Sequence, residues 1–273
     1  MDYWKEIDIL LPIFKNAFDT TIDFEKFNRI AVTFHSTAIE GSTLTLLETE
    51  TLLDKGITPN NKPLLHQQMV LDHHQSLIAT LNAAENKTPV TVEFLKSMAA
   101  AVMKSTGTKH ITVLGEYDVS KGDLRLNNVR AGNQYFVNYD KVPGLVEQLV
   151  KEVQGEINLV TSLQDILTLS FKAHFDLVTI HPFGDGNGRT SRLLMNYIQH
   201  YHKLPISPVH MEDRKQYIES LMLTREQQTL QPFIAFMSDQ YVKYLKNELL
   251  SYQNQQGDLA KGVRKGKGYS MIF

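Results

Sequence analysis

The stretch with the clearest chemistry is His181–Arg192, which reads HPFGDGNGRTSR. It combines a histidine, an acidic residue, three alternating glycines and two arginines, and an amphipathic run over 193–198 follows it directly. Alternating glycines allow positive φ and close backbone approach, so that successive N–H groups can converge on an oxyanion. The helix that begins here adds its unpaired amides and the positive end of its dipole. The stretch therefore predicts an anion-binding loop at a helix start.

Each charged side chain of this stretch has a predicted role. Arg189 and Arg192 are three residues apart, so on one face of a helix both can reach the same phosphate chain. Asp185 would repel phosphate unless a divalent cation lies between them, so it predicts Mg²⁺ held by one carboxylate and by ligand phosphates. His181 precedes a proline that fixes the backbone, and it is placed to exchange a proton beside that phosphate.

The alternative is structural: a Gly-rich turn that only caps a helix, with His181 as an ordinary loop histidine. The clustering of five residue types that one phosphoryl site needs favours the functional interpretation. The stretch is not a P-loop, because the chain contains no G-x-x-x-x-G-K-S/T, and it is not the dinucleotide-binding G-x-G-x-x-G after a strand.

The string HPFGDGNGRTSR resembles the signature of the Fic family (filamentation induced by cAMP), H-P-F-x-D/E-G-N-G-R-x-x-R, and it matches at every defined position. The resemblance implies a mainly α-helical domain with one β-hairpin flap near the active site. It also implies a protein adenylyltransferase, which moves AMP from ATP onto a Ser, Thr or Tyr hydroxyl of a target protein and releases pyrophosphate.

The resemblance also implies a role for each residue of the motif. His181 would take the proton from the attacking hydroxyl, and Asp185 would hold Mg²⁺ against the α- and β-phosphates. The anion cradle would consist of Gly186, Asn187 and Gly188, to which Asn187 adds a side-chain donor. The β- and γ-phosphates would be held by two arginines, Arg189 and Arg192.

A second motif lies at the end of a predicted helix. Apolar positions recur at helical spacing over residues 24–40, and Gly41 is a typical stop. Glu40 thus faces the negative end of the helix dipole, against the usual preference for a basic residue, which suggests a functional reason. The pattern Ser36-x-x-x-Glu40-Gly41 resembles the family's inhibitory motif, S/T-x-x-x-E-G/N. This implies that Glu40 pairs with Arg192 and occupies the space that the γ-phosphate needs; a surface glutamate at a frayed helix end is the alternative.

Further helices are predicted around this centre. A capping box, Thr45-x-x-Glu48, opens a helix that ends at Gly56. Tyr217, on a later helix, resembles a tyrosine that many family members place near the nucleotide, and core packing is its alternative role. His73 and His74 point about 100° apart on a helix, so they do not predict a metal site. The other predicted helices cover residues 66–84, a segment around 95–103, 142–153, 163–180, 213–224 and 231–252.

The helical period is lost between residues 107 and 138. Residues 126–139 contain the turn dipeptide Gly132-Asn133 and resemble the family's flap, a hairpin that pairs with the main chain of the target protein. A connecting hairpin without function is the alternative. The whole chain is predicted to comprise N-terminal helices over 1–62, a core over 63–254 and a flexible tail over 255–273.

Composition limits the other classes of function. The chain has 273 residues, a net charge of −2 and no cysteine, so there is no electrostatic case for a nucleic-acid partner and no thiol nucleophile. The N-terminus lacks a basic leader, and no apolar run is long enough to span a membrane. A cytoplasmic protein without membrane or nucleic-acid partners is expected, and the family resemblance makes a homodimer possible.

Three other functions remain open. Glu40 could orient a water molecule, so that the main reaction removes AMP from a modified protein. The motif recognises phosphates and not a base, so another nucleotide or a phosphocholine group could be transferred. A catalytically idle phosphate-binding module is disfavoured, because such a module has no use for both His181 and Asp185.

Overall fold

The computed structural model describes residues 3–18, 24–132 and 134–260. Over these residues the chain is mainly α, as predicted, with ten α-helices and two short antiparallel strand pairs instead of one hairpin. The helices are α1 (Tyr3–Phe18), α2 (Phe24–Ile39), α3 (Leu46–Lys55), α4 (Leu64–Glu85), α5 (Val92–Val102), α6 (Val142–Glu156), α7 (Leu163–Ile180), α8 (Asn187–Tyr201), α9 (Arg214–Gln227) and α10 (Gln231–Ala260).

The first strand pair joins β1 (Lys109–Thr112) to β2 (Gly115–Asp118), and the sequence did not reveal it. Most side chains of both strands are exposed, so the sequence carries no alternation between a buried and a solvated face. The second pair joins β3 (Arg130–Ala131) to β4 (Gln134–Tyr135), within the predicted flap. Asn133, the second residue of the predicted turn, lies outside the described residues.

The described residues divide into two compact units. One comprises the residues up to Val32 together with those from Ser207 onwards, and the other is Thr33–Ile206. The predicted domain boundaries at residues 62 and 254 were placed from sequence motifs, whereas these units are defined by contacts between residues. The predicted boundaries therefore stay a prediction. None of the described helices is both long and apolar enough to cross a membrane.

The first unit is held by aromatic packing between α1, the start of α2 and α10. Phe18 stacks on Phe24 with ring centroids 4.0 Å apart, and Phe14 lies 5.6 Å from Tyr244. The sequence missed α1 although its buried residues recur at helical spacing, and Pro12 stands inside it. Helix α10 continues to Ala260, beyond its predicted end. Of the predicted flexible tail, residues 261–273 lie outside the described residues.

In the second unit, local signals set the helix ends as predicted. Thr45 and Glu48 form the capping box of α3, and Gly56 ends that helix with a φ of 65°. Gly41, at φ 99°, follows the end of α2. Ser162, which was not predicted as a cap, caps the start of α7, because its side chain accepts a hydrogen bond from the Asp165 N–H. These caps satisfy backbone groups that a helix end leaves without partners.

The core of this unit is built on α7 and α8, which pack against each other. Helix α8 is the more completely buried of the two: twelve of its fifteen residues are buried, including Tyr197 and Leu193, which have no exposed surface. Helix α4 packs on α8 as well, and α6 covers α7. The loop between α7 and α8 is therefore held between two buried helices, which gives the motif residues fixed positions.

Candidate active site

The loop between α7 and α8 begins with a backbone turn at His181. Its φ of 52° and ψ of 58° put it in the left-handed region, and its N–H donates to the Leu177 carbonyl to end α7. A histidine in this region is unusual and is maintained only where its surroundings hold it. The chain thus leaves the buried helix with a sharp change of direction, which brings the imidazole to the edge of the loop.

The imidazole of His181 has a defined orientation. Its Nδ1 lies 3.3 Å from the Val178 carbonyl oxygen. A carbonyl can only accept, so Nδ1 carries the hydrogen and Nε2 carries the lone pair. The ring stacks on Phe136, which directly follows β4, with centroids 3.8 Å apart and planes 17° apart. Nε2 is therefore the atom that can accept a proton.

The glycines and Asn187 give the loop its shape. Gly186 has a φ of 79°, and a Cβ on it would come 2.8 Å from Met103 Cγ, so only glycine fits there. The Asn187 amide accepts from the Phe183 N–H and donates to the Phe183 carbonyl, both at 2.9 Å. Gly188 is the second residue of α8. The predicted donation from Asn187 to a ligand stays a prediction, since this amide already ties the loop to the helix.

Arg189 is a buried cation with few partners. It is 2% exposed, and its Nη2 lies 3.0 Å from Met103 Sδ and 3.8 Å from the Asp185 carboxylate. In the described part of the chain, its Nε and Nη1 have no hydrogen-bond partner. Burial lowers the pKa of this guanidinium. Two unsatisfied donors on a buried cation at a helix start are suited to an anionic ligand.

Arg192 is held by the end of α2. Its Nε donates to Ser36 Oγ at 2.9 Å, and its Nη2 donates to the Ser36 carbonyl at 2.9 Å and to Glu40 Oε1 at 2.7 Å. Both Ser36 and Arg192 are buried, whereas the Glu40 side chain is one-third exposed. Its Nη1 has no hydrogen-bond partner among the described residues. The structure thus brings Glu40 against Arg192, the pairing that the inhibitory motif implies, and it adds two bonds from Arg192 to Ser36 that the sequence did not predict.

Asp185 lies at the open side of the loop, with 70% of its side chain exposed. One of its oxygens accepts from the Gly186 N–H. The described residues contain no group of three or more His, Cys, Asp or Glu side chains that could hold a metal ion. A cation at Asp185 would therefore need the oxygens of a ligand.

Tyr217 lies in the first unit, on α9, and is 2% exposed. Its ring packs 6.3 Å from that of Phe233 and 6.1 Å from that of Phe236. Its predicted role beside the adenine stays a prediction.

Three residues near the loop were not found from the sequence: Tyr117, Arg125 and Phe136. Tyr117, in β2, lies against the loop, because a Cβ on Gly184 would come 2.9 Å from its ring. Its hydroxyl donates to Asn127 Oδ1 at 2.7 Å, and burial raises its pKa. Phe136 lies within the predicted flap but was not singled out, and Tyr117 and Arg125 belong to no predicted motif, so only spatial proximity reveals their roles.

Two buried histidines lie near the arginines. Burial holds the pKa of His73 well below its usual value, and the charges of Arg192 and Arg189 lower it further. The pKa of His174 is lowered in the same way by burial and by Arg192. Both imidazoles are therefore neutral near pH 7, so neither adds a positive charge beside Arg189 and Arg192.

Comparisons with known proteins agree with this geometry. The model of the Fic/DOC family matches residues 89–199. Protein adenylyltransferase Fic of Culex quinquefasciatus is 30% identical over 217 residues, which cover 79% of this chain and 40% of the relative. The protein of the same name from Drosophila melanogaster is 28% identical over 208 residues, or 76% of this chain and 39% of the relative. The chain thus spans about two fifths of the length of these curated relatives.

Solved structures share the fold. A Fic domain containing signaling protein from Bacteroides thetaiotaomicron has a TM-score of 0.75 at 23% identity, covering 96% of this chain and 100% of that one. Fic-1 (residues 134–508) from C. elegans has a TM-score of 0.72 at 22% identity, and the match covers 92% of this chain and 70% of that one. The motif loop, the helices on either side of it and these likenesses agree: the chain carries a Fic/DOC family domain.

Proposed function

We propose that this protein is an adenylyltransferase that transfers AMP from ATP to a hydroxyl group of a target protein. The observation that carries the proposal is the pair of buried arginines at the start of α8, whose unsatisfied donors follow, in the same loop and helix start, a histidine that carries its lone pair on Nε2. An anion at the helix start would satisfy Arg189 and Arg192 together. Relatives named protein adenylyltransferase Fic support the same reaction.

In the proposed reaction the target oxygen attacks the α-phosphorus of ATP. A bond forms between that oxygen and the phosphorus, the bond from the phosphorus to the bridging oxygen breaks, and pyrophosphate leaves. His181 Nε2 takes the hydroxyl proton, while the hydrogen on Nδ1 keeps the ring aimed by its bond to Val178. The arginines and the amides of Gly186–Gly188 neutralise the leaving phosphates, so catalysis consists mainly of positioning and charge stabilisation.

The residues present fit a magnesium ion. Mg²⁺ in nucleotide sites is usually held by one or two carboxylates together with ligand phosphates, and it keeps several waters. Asp185 offers one exposed carboxylate beside the predicted phosphate site. When bound, the ion would neutralise phosphate charge. Asp185 would anchor it, and the exposed side of the loop leaves room for its waters.

We further propose that Glu40 inhibits the reaction. Its carboxylate neutralises the Nη2 of Arg192, the guanidinium that would hold the γ-phosphate. A phosphate that approaches Arg192 would meet the negative charge of Glu40. ATP could still bind, but with its α-phosphate turned away from attack, and basal activity would be low.

The target protein would bind at the β3–β4 pair. Phe136, at the end of that pair, touches the imidazole, so a strand added at this edge would lie close to the reacting atoms. Backbone pairing would fix the hydroxyl with little dependence on the target's sequence. A homodimer and a cytoplasmic location stay predictions.

The experiment compares wild type, Glu40→Gly and Glu40→Gly/His181→Ala with Mg²⁺ and α-labelled ATP in a cell lysate, followed by the intact mass of each labelled band. We expect a gain of one AMP with Glu40→Gly that the added His181→Ala abolishes. If no variant labels any protein, AMP transfer is rejected. An AMP-labelled target that wild type strips faster than Glu40→Gly would instead assign AMP removal.

A further inference from the structure

The guanidinium of Arg125 joins three parts of the second unit. Arg125 is 1% exposed, and in the described part of the chain its guanidinium donates to backbone carbonyls and not to carboxylates. Its charge is compensated by backbone carbonyls instead. Nε donates to the His181 carbonyl at 2.8 Å, and Nη2 lies 3.5 Å from the Ile180 carbonyl. Both carbonyls stand at the C-terminal end of α7, where the helix dipole favours a cation.

The same guanidinium holds both ends of the segment that contains β3 and β4. Nη1 donates to the Asn127 carbonyl at 2.7 Å, before β3, and Nη2 donates to the Val137 carbonyl at 2.6 Å, after β4. The Arg125 N–H donates to the Pro182 carbonyl at 2.9 Å as well. One side chain therefore connects the two ends of segment 127–137 to the backbone that carries the candidate base.

The position of the His181 ring depends on this connection in two ways. Phe136, which stacks on the ring, is the neighbour of Val137, whose carbonyl Arg125 binds. His181 itself is in the left-handed region, which its surroundings must maintain, and its carbonyl is one of the Arg125 acceptors. Losing the guanidinium would release both the stacking ring and the backbone of the histidine.

We propose that Arg125 is a positioning residue, which holds the His181 imidazole and the target-pairing strands in one fixed geometry; this inference rests on the proposed function of the site. A planar guanidinium is required, because its donors point in separate fixed directions towards four carbonyls. The ammonium of lysine is a single point charge and cannot span them. Nucleotide binding lies outside its role, since none of its bonds involves Arg189 or Arg192.

The test uses Arg125→Lys in the Glu40→Gly background. The matched control is Arg214→Lys, the same exchange at an exposed arginine of α9. The first readout is the NMR signal of the His181 ring, which we expect the ring current of the stacked Phe136 to shift. The second is the rate of AMP transfer, separated into kcat and the KM for ATP, and thermal unfolding verifies the fold.

We expect Arg125→Lys to move the His181 signal and to lower kcat by at least about tenfold with the KM for ATP unchanged, since small misplacements of a reacting group are costly. The control, Arg214→Lys in the Glu40→Gly background, should have the same His181 signal, kcat and KM for ATP as Glu40→Gly. An unchanged ring signal and kcat in folded Arg125→Lys would overturn the proposal, as would a rise in the KM for ATP that accounts for the whole loss.

Two further outcomes are distinguishable. If Glu40→Gly itself transfers no AMP, the proposed function fails, while the ring signal in Arg125→Lys still decides whether the guanidinium positions His181. If Arg125→Lys does not fold, Phe136→Leu removes the stacked ring and leaves the guanidinium in place. A lower kcat with unchanged ATP binding in that variant supports the proposal, and an unchanged kcat rejects it.

Discussion

Glu40 lies directly against Gly188: a Cβ built on that glycine would come 2.3 Å from Glu40 Oε1 and 3.2 Å from Arg192 Nη1. The carboxylate therefore stands at the first turn of α8, where the helix dipole and free amides favour an anion. Glu40 thus occupies, from within the chain, the kind of position that a phosphate group would take. The absence of a side chain at Gly188 is what makes room for either of them.

This contact makes Gly188→Ala informative. The new methyl group would displace the Glu40 carboxylate, which is the end of a flexible side chain, and it would also narrow the space at the helix start. We expect no gain in AMP transfer from Gly188→Ala alone, although the inhibitory contact is disturbed. In the Glu40→Gly background, we expect Gly188→Ala to weaken ATP binding about tenfold, or about 1.4 kcal/mol, as measured by calorimetry.

The comparison separates two explanations for this glycine. If Gly188 serves only to accommodate Glu40, then Glu40→Gly/Gly188→Ala binds ATP as tightly as Glu40→Gly. Equal dissociation constants would therefore reject the assignment of this helix start to phosphate.

Ser36 should support both stability and inhibition. Its hydroxyl accepts from the charged Arg192 Nε at 2.9 Å in a buried place. Ser36→Ala leaves that donor without its acceptor, so we expect the free energy of unfolding to fall by about 1.5–3 kcal/mol. Basal AMP transfer should rise, but less than with Glu40→Gly, because the ion pair to Glu40 remains.

Urea unfolding and the labelling assay check this expectation. Ser97→Ala is the matched control, since Ser97 is exposed and its hydroxyl binds only a carbonyl of its own helix. Equal losses of unfolding free energy in Ser36→Ala and Ser97→Ala would show that the hydrogen bond from Arg192 to Ser36 does not stabilise the fold more than an exposed one.

The sequence predicts most of the helical frame because its signals are local. The limits of α7 agree with the predicted 163–180, and the capping box of α3 and the glycine after α2 were found from a few neighbouring residues. The anion-binding loop before α8 could also be predicted from the sequence, because the types and spacing of its residues determine its chemistry. In each case the physical cause of the structure lies within one or two helical turns of the residue concerned.

The features that the sequence missed depend on contacts between distant segments. Arg125 binds carbonyls up to 56 positions away in the chain, and backbone acceptors leave no trace in residue types. Tyr117 meets the loop through Gly184. The pairing of β1 with β2 buries few side chains, so the sequence shows no alternation of apolar and polar residues that would predict these strands.

Acid should destabilise the protein through its buried histidines. The pKa of His73 is held well below its usual value by burial and by the nearby arginines. An unfolded chain takes up a proton on this residue near pH 6.5, whereas the folded chain does not, so stability is present above that pH and is lost as the pH falls. His174 behaves in the same way. Each contributes a slope of up to about 1.4 kcal/mol per pH unit below about pH 6.5.

Replacing His73 tests this. We expect His73→Gln to reduce the dependence of the free energy of unfolding on pH between about pH 6.5 and 5 by the slope of one group. The test compares the slopes of the free energy of unfolding against pH. The absolute free energy is not compared, because the substitution changes it as well. His110→Gln, at an exposed histidine, is the control. An identical slope in wild type and His73→Gln would show that His73 takes up its proton in the folded state as well.

Arg189 is expected to serve binding at the expense of stability. Its guanidinium is buried against Met103, with Asp185 at 3.8 Å and two nitrogens that lack hydrogen-bond partners in the described structure. Replacing buried ionic groups with apolar side chains of similar volume is often neutral or stabilising by about 1–4 kcal/mol, and the carboxylate left behind here, that of Asp185, is exposed to solvent. We therefore expect Arg189→Met to raise the melting temperature while abolishing ATP binding, as measured by thermal unfolding and calorimetry.

The neighbouring arginine gives the matched control, and the two substitutions should have opposite effects. Arg192→Met would leave Ser36 and Glu40 without the cation that they bind, so it should lower the melting temperature and also weaken ATP binding. A fall in stability with Arg189→Met would show that the charge of Arg189 is compensated in the unliganded protein. The unsatisfied nitrogens of Arg189 would then no longer argue for a phosphate at this end of α8.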